Sequence, residues 1–121
     1  MYLADYHTHS SVSPDGSVTV SELAGAAIDH GLNEICVTDH VDTVLWGSHL
    51  PRTSFDWAAV ARQVAEARQR CGDRLTIRMG AELGEAPMAF DRAEKLLADA
   101  PELDFVIGSV HMAGEKFHHF D

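Results

Sequence analysis

No stretch of this chain approaches the ~18 consecutive apolar residues that a membrane span needs, and its first ten residues, MYLADYHTHS, carry no secretory signature. No membrane partner is therefore expected. Cysteine is scarce too. Cys36 and Cys71 are a single pair rather than a disulfide framework, which makes the reducing cytoplasm the expected compartment. Basic residues are few: nine Lys and Arg stand against nineteen Asp and Glu, a formal net charge of −10. Non-specific binding of DNA or RNA needs clustered positive charge, so no nucleic-acid partner is favoured. Linkers, low-complexity tracts, solenoid repeats and Ser or Cys nucleophile motifs are all missing. Histidine is the residue in excess, eight in 121 residues. If several acidic residues hold cations beside those imidazoles, the local field changes sign.

The length fits one domain with a real core, and the apolar fraction of 45% is ordinary for a globular protein. The pattern reads as four repeats of strand, loop and helix, the last incomplete. Strand one is expected at residues 2–6. Its helix starts at Thr19, with Glu22 completing a capping box, and ends before Gly31, with Val20, Leu23, Ala24, Ala27 and Ile28 at helical spacing. Strand two spans residues 34–38. A long loop leads to a second helix capped by Ser54 or Asp56 and closed by Gly72, burying Trp57, Val60, Ala61, Val64 and Ala67. Strand three, residues 75–79, is followed by a Gly-rich turn and a helix over about residues 87–99, with Phe90, Ala93, Leu96 and Leu97 inward. Strand four is expected at residues 105–110. Alternating strands and helices predict an α/β fold with a parallel sheet and right-handed crossovers, either an open doubly wound sheet or an arc of a barrel.

The polar residues separate those two. His7 and His9 lie two apart at the end of strand one, so their side chains share a side. His40 follows strand two, Glu82 follows strand three through Gly80 and Ala81, and His111 follows strand four. An open sheet gathers a ligand at one switch point, whereas four successive strand ends bearing ligands fit a barrel mouth. Imidazoles with carboxylates suit zinc, iron or manganese. Asp15, in SPDGS, reads as a turn residue before Gly16 whose position at the mouth also permits ligation. Asp39 is placed to orient a histidine. His49 and Arg52, in the long loop, are the candidates for touching a phosphate. His30, in the last turn of its helix, fits a charge opposing the helix dipole. His118 and His119 read as solvated, and Cys36 and Cys71 as structural.

The segments DYHTHS with SPDG, EICVTDHVD, GAELGE and DFVIGSVH resemble, in order and spacing, the first four motifs of the polymerase and histidinol phosphatase (PHP) superfamily of metal-dependent phosphoesterases. TDH with VIGSVH is most similar to its histidinol-phosphatase branch. The resemblance implies a distorted seven-stranded, TIM-like β/α barrel, of which residues 1–121 supply the first four β/α units. It implies up to three divalent cations. His7 and His9 would bind one, Glu82 would bridge it to a second that His111 also holds, and Asp15 and His40 would bind a third. At the position of Asp15 the family often has histidine. The family's late motifs, a histidine and an Asp-x-His, have no counterpart before the chain reaches FHHFD. The barrel is thus expected to be completed by a missing C-terminal half or by a homo-oligomer.

The implied activity is hydrolysis of a small phosphorylated substrate, a phosphomonoester of the histidinol phosphate type. Paired cations would make water nucleophilic near neutral pH by lowering its pKa, and would stabilise charge on the phosphoryl oxygens. The rival readings are a phosphatase or nuclease of the same chemistry with another substrate, and a metal-binding half-domain inactive alone.

Overall fold

The computed structural model describes residues 1–45, 50–113 and 116–117. Four segments of parallel sheet lie side by side in chain order. β1 (Ala4–Thr8) pairs with β2 (Glu34–Val37), and β2 pairs with the first half of β4 (Thr76–Gly84). β3 (His40–Asp42) pairs with the second half of β4, His40 opposite Glu82 and Asp42 opposite Gly84. β2 and β3 are therefore one strand path interrupted at Thr38 and Asp39. β5 (Phe105–Ser109) runs parallel along β4, Gly80 opposite Phe105 through Gly84 opposite Ser109.

This sequential parallel order is an arc of a barrel. Its curl shows in the rings of Tyr6 on β1 and Phe105 on β5. They meet edge to face with centroids 5.4 Å apart, although β2 and β4 lie between their strands. Among the described residues β1 and β5 each pair on one side only.

Among the described residues three α-helices accompany the sheet. α1 (Val20–Asp29) is capped by Thr19, whose hydroxyl accepts the Glu22 N–H at 3.2 Å, and α2 (Trp57–Cys71) by Asp56, which accepts the Ala59 N–H at 3.0 Å. Gly31 and Gly72, at φ 80° and 54°, let the chain leave the two helices through the left-handed region. α3 (Phe90–Ala98) follows a short 3-10 turn at Ala86–Met88. Val20, Ala24 and Ala27 of α1, and Trp57, Val60, Val64 and Ala67 of α2, pack on Ile35, Val37, Ile77 and Met79. Burial of a Val- or Ile-sized side chain contributes roughly 1.5–3 kcal/mol. The Trp57 indole N–H donates to the Leu96 carbonyl at 3.0 Å and ties α2 to α3. Among the described residues no helix is long and apolar enough to cross a membrane.

Several expectations are corrected. β1 lies two residues later than the reading of the sequence placed it, and Ser54 does not cap α2. Phe90 does not face inward but is 67% exposed, whereas Ala93 and Leu96 are buried as expected. The Gly-rich turn after residue 79 is in fact the second half of β4. A Cβ on Gly80 would stand 2.3 Å from the Phe105 carbonyl oxygen, and one on Gly84 would stand 1.9 Å from Asp42 Oδ1. Both glycines permit close approach within a sheet rather than a turn. A short antiparallel pair, β6 (Met112–Ala113) with β7 (Lys116–Phe117), follows β5 where the sequence led to no expected element.

Candidate metal centre

β1, β3 and β4 deliver polar side chains to one end of the sheet. His7 and His9 come from the end of β1, His40 from the start of β3, and Glu82 from opposite His40 on β4. Asp15 arrives on the loop between β1 and α1, which is held against β3 by Asp39. The buried Asp39 carboxylate accepts the Ser10 N–H at 2.6 Å, the Ser10 hydroxyl at 2.6 Å and the Ser13 hydroxyl at 2.7 Å. Ser13 Oγ in turn accepts the His40 N–H at 2.9 Å. The loop doubles back so tightly that a Cβ on Gly16 would lie 1.7 Å from the Ser10 carbonyl oxygen. The expectation that Asp39 orients an imidazole is thus corrected: its hydrogen bonds go to the serines, and it positions the loop that carries Asp15.

Two imidazoles and two carboxylates then alternate in a closed ring. His9 Nδ1 lies 3.0 Å from both Asp15 oxygens, and His9 Nε2 lies 3.8 Å from Glu82 Oε1. His40 Nε2 lies 3.1 Å from Asp15 Oδ2, and His40 Nδ1 lies 2.6 Å from Glu82 Oε2. His7 Nε2 also meets Glu82 Oε1. Two sets of ligand atoms converge to within 4.8 Å, one of His7, His9 and Glu82 and the other of His9, Asp15 and His40. His9 joins both, where the family resemblance assigned it to one.

A neutral imidazole carries one N–H, so it can donate to one carboxylate only. His9 and His40 each face carboxylates on both nitrogens. The buried His9 Nε2 and Glu82 Oε2 accordingly have no well-directed hydrogen bond among the described residues. Protons or cations must supply the missing positive charge. Burial alone would lower the His40 pKa, but Asp42 and Glu82 reverse this and carry it to about 10. Burial would raise Glu82, yet hydrogen bonds and charge from His40 and His7 hold it at about 2. Asp15 is lowered against its own burial by His9 and then by His40. This set of nitrogen and oxygen donors fits divalent cations, which would replace the protons and return the imidazoles to their neutral form.

The other expected residues stand apart. His111 is near, its ring 5.6 Å from that of His40, but it belongs to neither converging set. The Arg52 guanidinium lies over the Phe55 ring at 5.4 Å and donates to the Ser54 carbonyl. His49, His118 and His119 lie outside the described residues. His30 caps α1, with Nδ1 2.8 Å from the Ala26 carbonyl oxygen. A cavity of about 490 Å³ lined by Thr53, Phe90, Arg92 and Lys95 includes none of the clustered histidines.

Two residues escaped the reading of the sequence. Asp42, buried and 3.7 Å from His40 Nδ1, was signalled by its place two residues past His40 in a strand, hence on the same side. Glu85 is buried and sits at φ 62°, the one non-glycine with positive φ among the described residues. It is the last residue of the GAELGE segment, where nothing signals its backbone conformation or its burial.

Known proteins agree with this architecture. The chain is 32% identical over 111 residues to the histidinol-phosphatase of Lactococcus lactis subsp. lactis (strain IL1403), covering 92% of this chain and 40% of that protein. It is 32% identical over 113 residues to a probable histidinol-phosphatase of Deinococcus radiodurans, covering 93% and 43%. The crystal structure of the Lactococcus lactis histidinol phosphate phosphatase, complexed with zinc, L-histidinol and phosphate, superposes with a TM-score of 0.79 at 31% identity, over 93% of this chain and 41% of that one. This chain spans about two fifths of the length of the curated relatives it matches. The family model described as the PHP domain matches residues 5–121, nearly the whole sequence, and the chain belongs to that family.

Proposed function

We propose that this chain is the N-terminal part of a PHP-type, metal-dependent phosphomonoesterase acting on a substrate of the histidinol phosphate type. The observation that carries the reading is the closed ring of His9, Asp15, His40 and Glu82, whose facing lone pairs demand positive charge. His7, His9, Asp15, His40, Glu82 and His111 would hold up to three divalent cations. Zinc is the first candidate because the Lactococcus lactis enzyme was crystallised with it, with manganese and iron as alternatives. When bound, such cations lower the pKa of water and polarise phosphoryl oxygens. Glu82, buried between three imidazoles, keeps its carboxylate ionised, and His9 belongs to both sets of donors. Asp39 fixes the loop that presents Asp15. No side chain among them serves as a covalent nucleophile.

The partners that fit are a small phosphorylated substrate and further strands to close the arc, from the remaining part of a PHP barrel or from a second copy. The competing reading is a half-domain that binds metal without turnover. Phosphate release from histidinol phosphate, measured with the zinc- or manganese-loaded chain beside its metal content, tests both. Turnover lost in the Glu82→Gln variant supports the phosphatase. Metal binding without turnover supports the half-domain, and no metal binding refutes both.

A further inference from the structure

Glu85 takes no part in the converging donor sets, yet it occupies a place that a glutamate would ordinarily avoid. Its backbone lies at φ 62°, where a side chain crowds its own carbonyl and glycine is the usual occupant. It is buried, only 2% exposed. Several contacts hold it. Its N–H donates to the Ser109 carbonyl at 3.0 Å, its own carbonyl accepts the Thr43 hydroxyl at 3.1 Å, and Oε1 accepts the backbone N–H of His111. The same oxygen lies 3.5 Å from His111 Nδ1. Backbone strain with a buried carboxylate persists where the surroundings demand that side chain.

We infer that Glu85 is a positioning residue for His111. Its carboxylate grips the histidine at both backbone and ring, so that Nδ1 is turned to Glu85 and Nε2 to the opposite side of the ring. β5 ends at Ser109, so His111 lies beyond the hydrogen-bonded ladder, and the grip of Glu85 replaces the order that the ladder no longer gives. Thr43, just past β3, joins the same hub, which ties the end of β5 to the strand that carries His40. The inference rests on the reading of His111 as a ligand given under Proposed function. An imidazole whose second nitrogen is fixed by a carboxylate gains both orientation and basicity as a ligand.

The test uses the 121-residue chain. Zinc affinity is measured by competition with a chromophoric chelator for the wild type, Glu85→Gln, Glu85→Gly, His111→Ala and the double variant Glu85→Gly/His111→Ala. Glu85→Gly removes the carboxylate while relieving the strain, and should weaken zinc binding about 10-fold with the circular dichroism spectrum unchanged. Glu85→Gln keeps an oxygen that can accept the His111 N–H and should restore most of the affinity. In the His111→Ala background the glycine substitution should cost nothing further. Equal losses in both backgrounds overturn the positioning role. If Glu85→Gly does not fold, Glu85→Asn, which tolerates the left-handed region and is too short to reach residue 111, takes its place in the same comparison. Should His111→Ala bind zinc as tightly as the wild type, the ligand reading fails by itself. Nitrogen-15 spectra of the metal-free histidines then decide the positioning role separately. A proton on Nδ1 of His111 in the wild type, with a changed tautomer in Glu85→Gly, supports it, and identical spectra overturn it.

Discussion

Replacing Asp39 with alanine should damage stability and metal binding together, although Asp39 touches none of the converging ligand atoms. Its carboxylate is 1% exposed and accepts three hydrogen bonds, from the Ser10 N–H, the Ser10 hydroxyl and the Ser13 hydroxyl, all at 2.6–2.7 Å. Hydrogen bonds to a charged group are each worth about 1.5–3 kcal/mol, and a buried donor left without a partner costs about 1–3 kcal/mol. Relief of the carboxylate's own desolvation offsets part of this sum. A net loss of about 3–5 kcal/mol is expected, near the cost of breaking other buried charged networks. The loop released is the one that holds Asp15, and Ser13 Oγ also takes the His40 N–H, so zinc affinity should fall with it. Asp39→Asn keeps the volume but turns an amide toward donors, and should fall between the alanine variant and the wild type. Urea denaturation of the metal-free chain, followed by circular dichroism, gives the first number, and chelator competition gives the second. If Asp39→Ala loses under about 1 kcal/mol and binds zinc normally, the carboxylate does not organise this loop and the reasoning fails.

Glu82→Gln should lose more metal than any single histidine variant, because its carboxylate stands between His7, His9 and His40; full occupancy by elemental analysis would contradict this. The metal-free chain should draw stability from the His40–Glu82 pair only within a window of pH. His40, raised from 6.5 to about 10, contributes fully below pH 6.5 and loses its contribution as pH climbs toward 10, whereas Glu82, lowered from 4.5 to about 2, contributes above pH 4.5 and loses its share as pH falls toward 2. A Tm measured with chelator present should therefore decline above pH 6.5, and a flat profile up to pH 10 would refute the pairing. Zinc affinity should rise over the same alkaline range, since loading displaces the His40 proton. At micromolar concentration the 121-residue chain should run larger than a monomer, because the outer edges of β1 and β5 pair with nothing among the described residues and Phe105, Val106 and Val110 are exposed there; light scattering that gives a monomer mass would count against this.

The fold and the gathering of His7, His9, His40 and Glu82 were legible in the sequence for the same reason: both follow from period and direction. Apolar spacing located three helices, their alternation with strands implied a parallel sheet, and parallel strands must present their ends on one side. His7, His9, His40 and Glu82 therefore had to arrive together once the strand order was sequential. Features that depend on which partner approaches from a distant part of the chain were not legible. Gly80 and Gly84 read as a turn because glycine serves two opposite needs, bending a chain and letting another chain come close. Only the Phe105 carbonyl and the Asp42 carboxylate, 25 and 42 positions away, decide between them. Asp39 was taken for a histidine partner because it adjoins His40, but alternation along an extended chain turns neighbours to opposite sides, and its carboxylate met Ser10 and Ser13 instead. Asp42, two residues on, obeys the same rule in the other sense and stands beside the His40 ring. Glu85 lay beyond such reasoning, since nothing local favours glutamate in the left-handed region. Its reason is His111, 26 residues away, and a residue that local preference would reject becomes intelligible only when the group it holds is in view.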